Sequence, residues 1–155
     1  MTILRNLPSQ LILAHAPWFL GGGLIVCIVA WAAAGLALIA QGEILGLATV
    51  PAGAGVPLGI FALAIKRDQV IFDASAGTAT VQRRTLMTYR STTYPLTNVR
   101  RAEVENFSDT ARPTLTFHDT TPPYPLVEAY ISGNGPGQAA DAINDWMRGY
   151  RRLSA

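Results

Sequence analysis

The residues whose types could carry out chemistry are few in this chain. His15 and His118 are the only histidines, Cys27 is the only cysteine, and Glu103 and Glu105 form a closely spaced pair of acids. Such residues could serve as metal ligands, as a thiolate nucleophile or as a general acid and base. Each use depends on the neighbouring residues and on the element that carries the side chain.

The spacing of these residues supports none of the three uses. Neither histidine has a cysteine or an acid at ligand spacing, apart from Asp119 directly after His118, so we expect no metal site and no bound cofactor. Cys27 lies in the middle of a long uncharged stretch, where ionisation of the thiol is disfavoured. Glu103 and Glu105 would share one face of a strand, as acids on a solvated strand commonly do. The sequence therefore predicts a protein that is not an enzyme and has no small-molecule substrate.

The charged residues are concentrated in the second part of the chain. Of 155 residues, 50% are hydrophobic and only 14% are charged, and Arg5 and Glu43 are the only charged residues before position 66. The first part therefore has a composition suited to hydrocarbon, whereas the second has the charge content of a soluble domain. This division excludes a disordered chain and a single globular core.

Two long uncharged stretches, 18–40 and 44–65, predict a transmembrane helical hairpin. At the helical rise the first stretch would span roughly 34 Å, which is enough to cross a bilayer. Residues 41–43 supply a polar turn, and Pro51 and Pro57 predict kinks in the second helix. A cleaved signal peptide is the alternative for the first stretch, but that stretch is longer than a typical signal-peptide core and a second one follows it.

Small residues recur at four-residue spacing in the second helix, which lets two helix backbones approach closely. The predicted helix-packing residues are Ala48, Ala52, Gly55 and Gly59. They could pack within the hairpin, or they could dock helices of another membrane protein. A broken helix that binds a transported substrate is a third interpretation.

Positive charges flank the two spans on one side only. Arg5 precedes the first span, Lys66 and Arg67 follow the second, and the turn between the spans has no positive charge. By the positive-inside rule we expect both termini to be cytoplasmic. The segment 1–17 has enough apolar residues to lie along the lipid headgroups as an interfacial arm.

After the second span the hydrophobic pattern changes to the two-residue alternation of β-strands. The predicted strands are 69–73, 78–84, 86–94, 99–107, 114–118 and 124–131. A helix is predicted at 138–152, because Ile143, Trp146 and Tyr150 recur at helical spacing, and Trp146 is its expected core residue. We therefore expect 66–155 to be a small antiparallel β domain closed by one C-terminal helix.

The order of these elements resembles that of bacterial membrane proteins with a pleckstrin-homology-like (PH-like) domain behind a transmembrane hairpin. The resemblance is carried by Arg67–Asp73 (RDQVIFD), by Tyr94-Pro95-Leu96 followed by Val99–Val104, and by Ala142–Trp146 (AINDW). It implies a membrane-anchored α+β protein of the bacterial inner membrane, with a small antiparallel PH-like barrel or sheet capped by its helix. An unrelated α+β sheet packed by one helix is the structural alternative. The resemblance also implies a binding module without chemistry of its own, and small two-span assembly factors of photosynthetic and respiratory complexes are similar in outline.

Arginine supplies all but one of the 12 positive charges. The arginines predicted to face the membrane or a partner are Arg83, Arg84, Arg100 and Arg101. Beneath an anionic leaflet each could contribute about 1 kcal/mol to membrane apposition, and a solvated surface of mixed charge is an equal alternative. The net charge of +2 is too small to indicate a nucleic-acid partner.

We therefore expect a non-enzymatic accessory subunit, assembly factor or scaffold that binds a larger integral membrane protein complex through its hairpin and its PH-like domain. The domain would use its arginines or an exposed strand edge, to which a partner peptide can add a strand. The alternative is a lipid-apposed or homo-oligomeric structural module, with anionic lipid as its partner. An enzyme or a transporter ranks last, because Thr49 is the only hydroxyl residue in the spans.

Overall fold

The computed structural model describes residues 1–16 and 18–154, which form three α-helices and eight β-strands. The helices are α1 (Trp18–Ala40), α2 (Leu45–Ala64) and α3 (Gly135–Ser154). The strands are β1 (Thr2–Leu7), β2 (Gln10–His15), β3 (Arg67–Asp73), β4 (Thr78–Arg84), β5 (Tyr89–Pro95), β6 (Val99–Phe107), β7 (Thr110–Phe117) and β8 (Tyr124–Pro125).

The helices α1 and α2 confirm the two helices predicted at 18–40 and 44–65. Leu20–Ala40 and Leu45–Ala62 are long and apolar enough to cross a membrane, and only 6% of each is buried. A core helix of a soluble protein would be mostly buried, whereas these two present apolar side chains over most of their surface. The turn between them places Gly42 at φ 82°, a left-handed conformation that glycine adopts without strain.

The first sheet contains five strands in the order β1-β2-β3-β4-β5. β2 and β3 pair antiparallel without a register shift, from Gln10 opposite Asp73 to His15 opposite Asp68. Alternate residues of these strands point into the core, so Leu13 on β2 is fully buried, and so are Val70 and Phe72 on β3. The pairing places the end of β2 beside the beginning of β3.

The segment 1–17 differs from the expected arm, because its described part forms the hairpin of β1 and β2. Leu11 and Leu13 are fully buried, whereas Leu4 and Leu7 on β1 are about half exposed. Local pattern did not indicate this strand, since Ile12 between the two buried leucines is also apolar and hides the alternation.

The helical hairpin is therefore an insertion between two neighbouring strands, β2 and β3. The chain divides into two compact units. One contains Met1–His15, Asp68–Arg83 and the chain from Tyr89 onwards, and the other contains Ala16–Arg67 together with Arg84–Thr88. The sheet domain is thus discontinuous in sequence and begins before the first apolar helix.

The six strands predicted after the hairpin are all present, with differences at their ends. The strand predicted at 99–107 matches β6, whereas the one predicted at 124–131 is reduced to β8, Tyr124–Pro125. Pro125 has no N–H to donate, which limits the ladder at this point. Further along, Ile131 forms an isolated bridge with Ala111.

The second sheet contains three strands in the order β6-β7-β8. β5 and β6 are consecutive in the chain but belong to different sheets. In residues 1–16 and 18–154 the strands therefore form two open sheets, and the closed barrel included in the prediction is not observed. The coarser prediction, an α+β domain with antiparallel sheets and one C-terminal helix, is confirmed.

The helix α3 completes the core of the sheet domain. Its residues Ile143, Trp146 and Met147 are buried in one apolar cluster with side chains from both sheets. The ring of Trp146 lies 5.8 Å from that of Phe72 on β3, and its Nε1 donates a hydrogen bond to the carbonyl of Leu7 on β1 at 2.7 Å. Trp146 is the predicted core residue, and its indole is both packed and hydrogen-bonded, as buried tryptophan requires.

Candidate interaction sites

The contact between α1 and α2 uses glycines that the sequence analysis did not single out. A Cβ atom on Gly46 would lie 2.7 Å from the carbonyl oxygen of Gly35, and one on Gly53 would lie 2.7 Å from the ring of Trp31. A Cβ atom on Gly35 would overlap the side chain of Val50. The two helices therefore approach more closely than any larger side chain would allow. The seven-residue spacing of Gly46 and Gly53 was the available signal, but it does not reveal which face meets α1.

The four predicted helix-packing residues lie on another face of α2. They succeed one another at helical spacing and form one stripe, which we call the outer face: Ala48, Ala52, Gly55 and Gly59. All four are exposed, and a Cβ atom on Gly55 or Gly59 would meet nothing within 4 Å. Ala48 is two residues from Gly46, which places it about 200° around the helix from that contact. The outer face is therefore separate from the packing within the hairpin.

Arg83 holds parts of the sheet domain together. Its Nε lies 3.7 Å from Oδ1 of Asp68, and its Nη1 lies 3.1 Å from Oε1 of Glu128. Its Nη2 donates a hydrogen bond to the carbonyl of Pro125 at 2.6 Å, and its guanidinium lies 5.0 Å from the ring centre of Tyr124. Asp68 is only 3% exposed, so this cation balances a buried carboxylate and is a structural residue.

The other predicted arginines are exposed but do not share one sheet. Arg84 is the last residue of β4, whereas Arg100 and Arg101 lie on β6 of the three-stranded sheet. Nε of Arg101 lies 2.6 Å from Oε1 of Glu103 on the same strand. The four arginines therefore divide into one structural residue and three exposed residues in two parts of the fold.

The outer edge of β6 is covered by polar side chains of α3. The side chain of Asn144 accepts a hydrogen bond from the N–H of Ala102 and donates one to its carbonyl, both at 2.9 Å. Arg151 donates to the carbonyls of Val99 and Arg100 at 2.8 and 2.7 Å. These contacts occupy backbone groups that an added strand would need. Of the other edge strands, β8 has only two residues, so β1 and β5 of the first sheet are the better candidates for strand addition.

A cluster of ionic and aromatic side chains surrounds Glu105. Nε and Nη2 of Arg112 donate to its two carboxylate oxygens at 2.8 and 2.9 Å, and the hydroxyl of Tyr130 donates to Oε1 at 2.7 Å. The guanidinium lies 4.5 Å from the ring centre of Tyr130, which also contacts Phe107. The hydrogen bonds from Arg112, followed by that from Tyr130, lower the pKa of Glu105 to about 2. Glu105 is thus ionised near neutral pH.

An open groove of about 520 Å³ lies between the turn after β1 and the last turns of α3. Leu7, Trp146, Tyr150 and Leu153 provide its apolar lining. The rings of Trp146 and Tyr150 are parallel and stacked, with centres 5.7 Å apart.

The turn between β4 and β5 is stabilised by hydrogen bonds of its own threonines. Oγ1 of Thr85 accepts hydrogen bonds from the N–H groups of Met87 and Thr88 at 3.3 and 2.9 Å, and the N–H of Thr85 donates to the carbonyl of Thr88 at 2.9 Å. At the centre of the turn, Leu86 is 65% exposed and Met87 is 78% exposed. This turn belongs to the compact unit that contains the helical hairpin.

The other residues singled out for chemistry lie apart. His15 at the end of β2 is half-buried, and burial, with a smaller effect from the amino terminus, lowers its pKa. His118 is exposed after β7, and Cys27 is exposed on α1. Within the described residues no three His, Cys, Asp or Glu side chains are grouped to hold a metal ion.

The geometry thus separates the predicted residues into an outer face on α2, a structural arginine and three exposed arginines. The features that local sequence did not indicate are the glycine contact within the hairpin, the Glu105 cluster and the apolar turn after β4. No protein-family model matches the chain, and no curated protein sequence matches it either.

Proposed function

We propose that this chain is a non-enzymatic accessory subunit or assembly factor, anchored in the bacterial inner membrane, that binds a larger integral membrane protein complex. The observation that carries the proposal is the outer face of α2. Its small residues are exposed, while the packing of α2 on α1 uses a different set of glycines.

Small residues on a free helix face suit contact with another helix. Lipid tails are as apolar as leucine side chains, so helices in a bilayer associate through close packing rather than through a hydrophobic driving force. Gly55 and Gly59 leave room for a partner backbone to approach α2. Elsewhere on α2, Leu47, Val56 and Leu58 are exposed and provide the bulky apolar surface that lipid accepts.

The sheet domain would provide a second contact on the cytoplasmic side. Lys66 and Arg67 follow α2 and Arg5 lies on β1, which favours a cytoplasmic location for both termini. The resemblance to PH-like proteins supports a binding role for this domain. The exposed edges β1 and β5 are available for strand addition by a partner.

The experiment is a gentle-detergent purification of the tagged full-length protein from its native membrane, followed by sizing and mass spectrometry. We expect a stoichiometric complex with larger membrane proteins. The double substitution Gly55→Leu and Gly59→Leu should abolish that complex, because it fills the outer face without touching α1.

The matched control is Leu47→Met with Leu58→Met, which changes two exposed apolar residues that flank the outer face on the same helix. This control should retain the complex. If both double variants retain it, the outer face is not the docking surface. A wild-type protein that purifies alone contradicts the proposal itself.

A lipid-apposed or homo-oligomeric structural module is the second candidate. It is favoured by the exposed Arg84 beside the apolar turn after β4, since arginine and apolar residues together suit an anionic membrane surface. A monomer or homo-oligomer that purifies with anionic lipid only would support this candidate over the first.

A further inference from the structure

The turn between β4 and β5, Thr85–Thr88, has an amino-acid composition that is unusual for a solvent-exposed turn. Central turn positions are usually occupied by glycine, proline, asparagine, aspartate or serine. Here the central residues are Leu86 and Met87, which are 65% and 78% exposed. Tyr89 directly after the turn is 61% exposed as well, so three large side chains close together in sequence are exposed.

Several polar groups of the turn are paired within the turn itself. Oγ1 of Thr85 accepts from the N–H groups of Met87 and Thr88, and the hydroxyls of Thr85 and Thr88 lie 2.8 Å apart. Backbone groups that enter an apolar environment without partners cost several kcal/mol each. A turn that supplies some of these partners internally leaves water with a smaller penalty.

The position of the turn in the topology is also specific. β2 ends, β3 begins and β4 ends at the same end of the first sheet, since consecutive strands joined by short turns run antiparallel. This is the end at which the chain enters α1 and returns from α2. Arg84–Thr88 is grouped with the helical hairpin in one compact unit, independently of its composition.

Basic residues frame the apolar turn. Arg84 precedes it and Arg90 follows it, and both are exposed. Apolar side chains at the centre and arginines at the sides match the layering of a membrane interface, where acyl chains lie beneath anionic headgroups.

We propose that the β4–β5 turn is a third membrane contact, in which Leu86 and Met87 enter the bilayer interface while Arg84 and Arg90 bind anionic headgroups. The inference rests on the proposed membrane anchoring of the hairpin. It adds a lipid contact carried by the turn between β4 and β5 to those of the two helices.

The test uses one environment-sensitive fluorophore, NBD, at three positions of the full-length protein. The native Cys27 reports on the middle of α1, and Met87→Cys and Ala76→Cys, each combined with Cys27→Ala, report on the β4–β5 turn and on the turn at the opposite end of β4. The labelled proteins are reconstituted in phosphatidylcholine and phosphatidylglycerol vesicles that carry lipids spin-labelled at shallow or deep acyl positions.

We expect the probe at position 87 to show blue-shifted emission and to be quenched by the shallow label. The probe at position 27 should be quenched by the deep label, and the probe at position 76 by neither. Leu86→Asp should abolish quenching at position 87 without changing the signal at position 27, since a carboxylate is expelled from the interface.

If position 87 behaves like position 76 while position 27 remains quenched by the deep label, the turn does not contact lipid and the inference is overturned, with the membrane hairpin intact. Such a turn would be a protein contact instead. If position 27 is not quenched, the membrane anchoring fails, and the inference that rests on it fails with it.

Discussion

His15 and Asp68 lie directly opposite each other on β2 and β3, although the whole helical hairpin separates them in the sequence. This pairing makes the first residues of the chain part of the sheet domain. It also means that the hairpin leaves and re-enters the domain at neighbouring positions of one sheet.

The first prediction concerns the amino-terminal hairpin. Leu13→Ala should lower the free energy of unfolding of the sheet domain by about 3 kcal/mol, because it leaves a cavity at a fully buried position. Leu4→Ala on β1, at a position that is 56% exposed, should cost less than about 1 kcal/mol. Urea unfolding of the full-length protein in detergent micelles measures both. Equal small effects would indicate that these residues are an arm outside the core.

The second prediction separates two adjacent arginines. Arg83→Ala should destabilise the domain by about 3 kcal/mol, because it removes the guanidinium that lies 3.7 Å from the nearly buried carboxylate of Asp68. Arg84→Ala is the matched control and should change stability by less than about 0.5 kcal/mol, since its side chain is exposed. The same urea unfolding measurement applies. Comparable losses for both variants would contradict the structural role of Arg83.

The third prediction concerns the glycine contact of the hairpin. Gly46→Leu should lower the thermal stability of the protein in detergent, because its Cβ would lie 2.7 Å from a backbone oxygen of α1, which cannot move aside alone. Gly55→Leu, in open space on the same helix, should leave the melting temperature unchanged. A loss caused by Gly55→Leu but not by Gly46→Leu would reverse the assignment of the two faces of α2.

The fourth prediction is a pH dependence. The pKa of Glu105 is about 2 in the folded protein and near 4.5 as its ordinary value, so its ionisation stabilises the fold above pH 4.5. That contribution should disappear as the pH falls from 4.5 towards 2, because the unfolded state binds the proton first. Unfolding free energies of the wild type and Glu105→Gln over this range provide the measurement, and the variant should have the flatter profile. Parallel profiles would exclude Glu105 from the acid response.

The fifth prediction is the orientation of the hairpin in the membrane. In a Cys27→Ala background, a cysteine at Gln41 in the turn after α1 should react with a membrane-impermeant maleimide on intact cells. A cysteine at Ala76 in the sheet domain should react only after the membrane is permeabilised. Labelling in the opposite pattern would place both termini outside the cytoplasm.

Local sequence predicted the elements better than it predicted their arrangement. The uncharged stretches and the alternation around Val70 and Phe72 are local signals, and the corresponding helices and strands are observed. The pairing of β2 with β3 is not local, because its register depends on residues on either side of the hairpin. The grouping of strands into two sheets likewise depends on contacts between distant residues. No short motif therefore distinguishes two open sheets from the expected barrel.

The candidate site residues show the same limit. Four-residue spacing identified the stripe on α2, but the spacing of Gly46 and Gly53 is equally regular, and only the packed structure distinguishes the two faces. Arg83 and Arg84 are adjacent residues of the same type, yet Arg83 faces a buried carboxylate and Arg84 faces solvent. The arginine doublet alone therefore could not show which of the two side chains is exposed on the surface.

The insertion of the hairpin between β2 and β3 imposes an order on biosynthesis. The ribosome makes β1 and β2 first, and the strand that covers Leu11 and Leu13 follows only after both apolar helices have been made. The sheet therefore cannot be completed until both apolar helices have been synthesised. In a nascent chain that ends before β3, the apolar side of β2 lacks the strand that covers it in the folded domain, and such exposed strands are prone to aggregation.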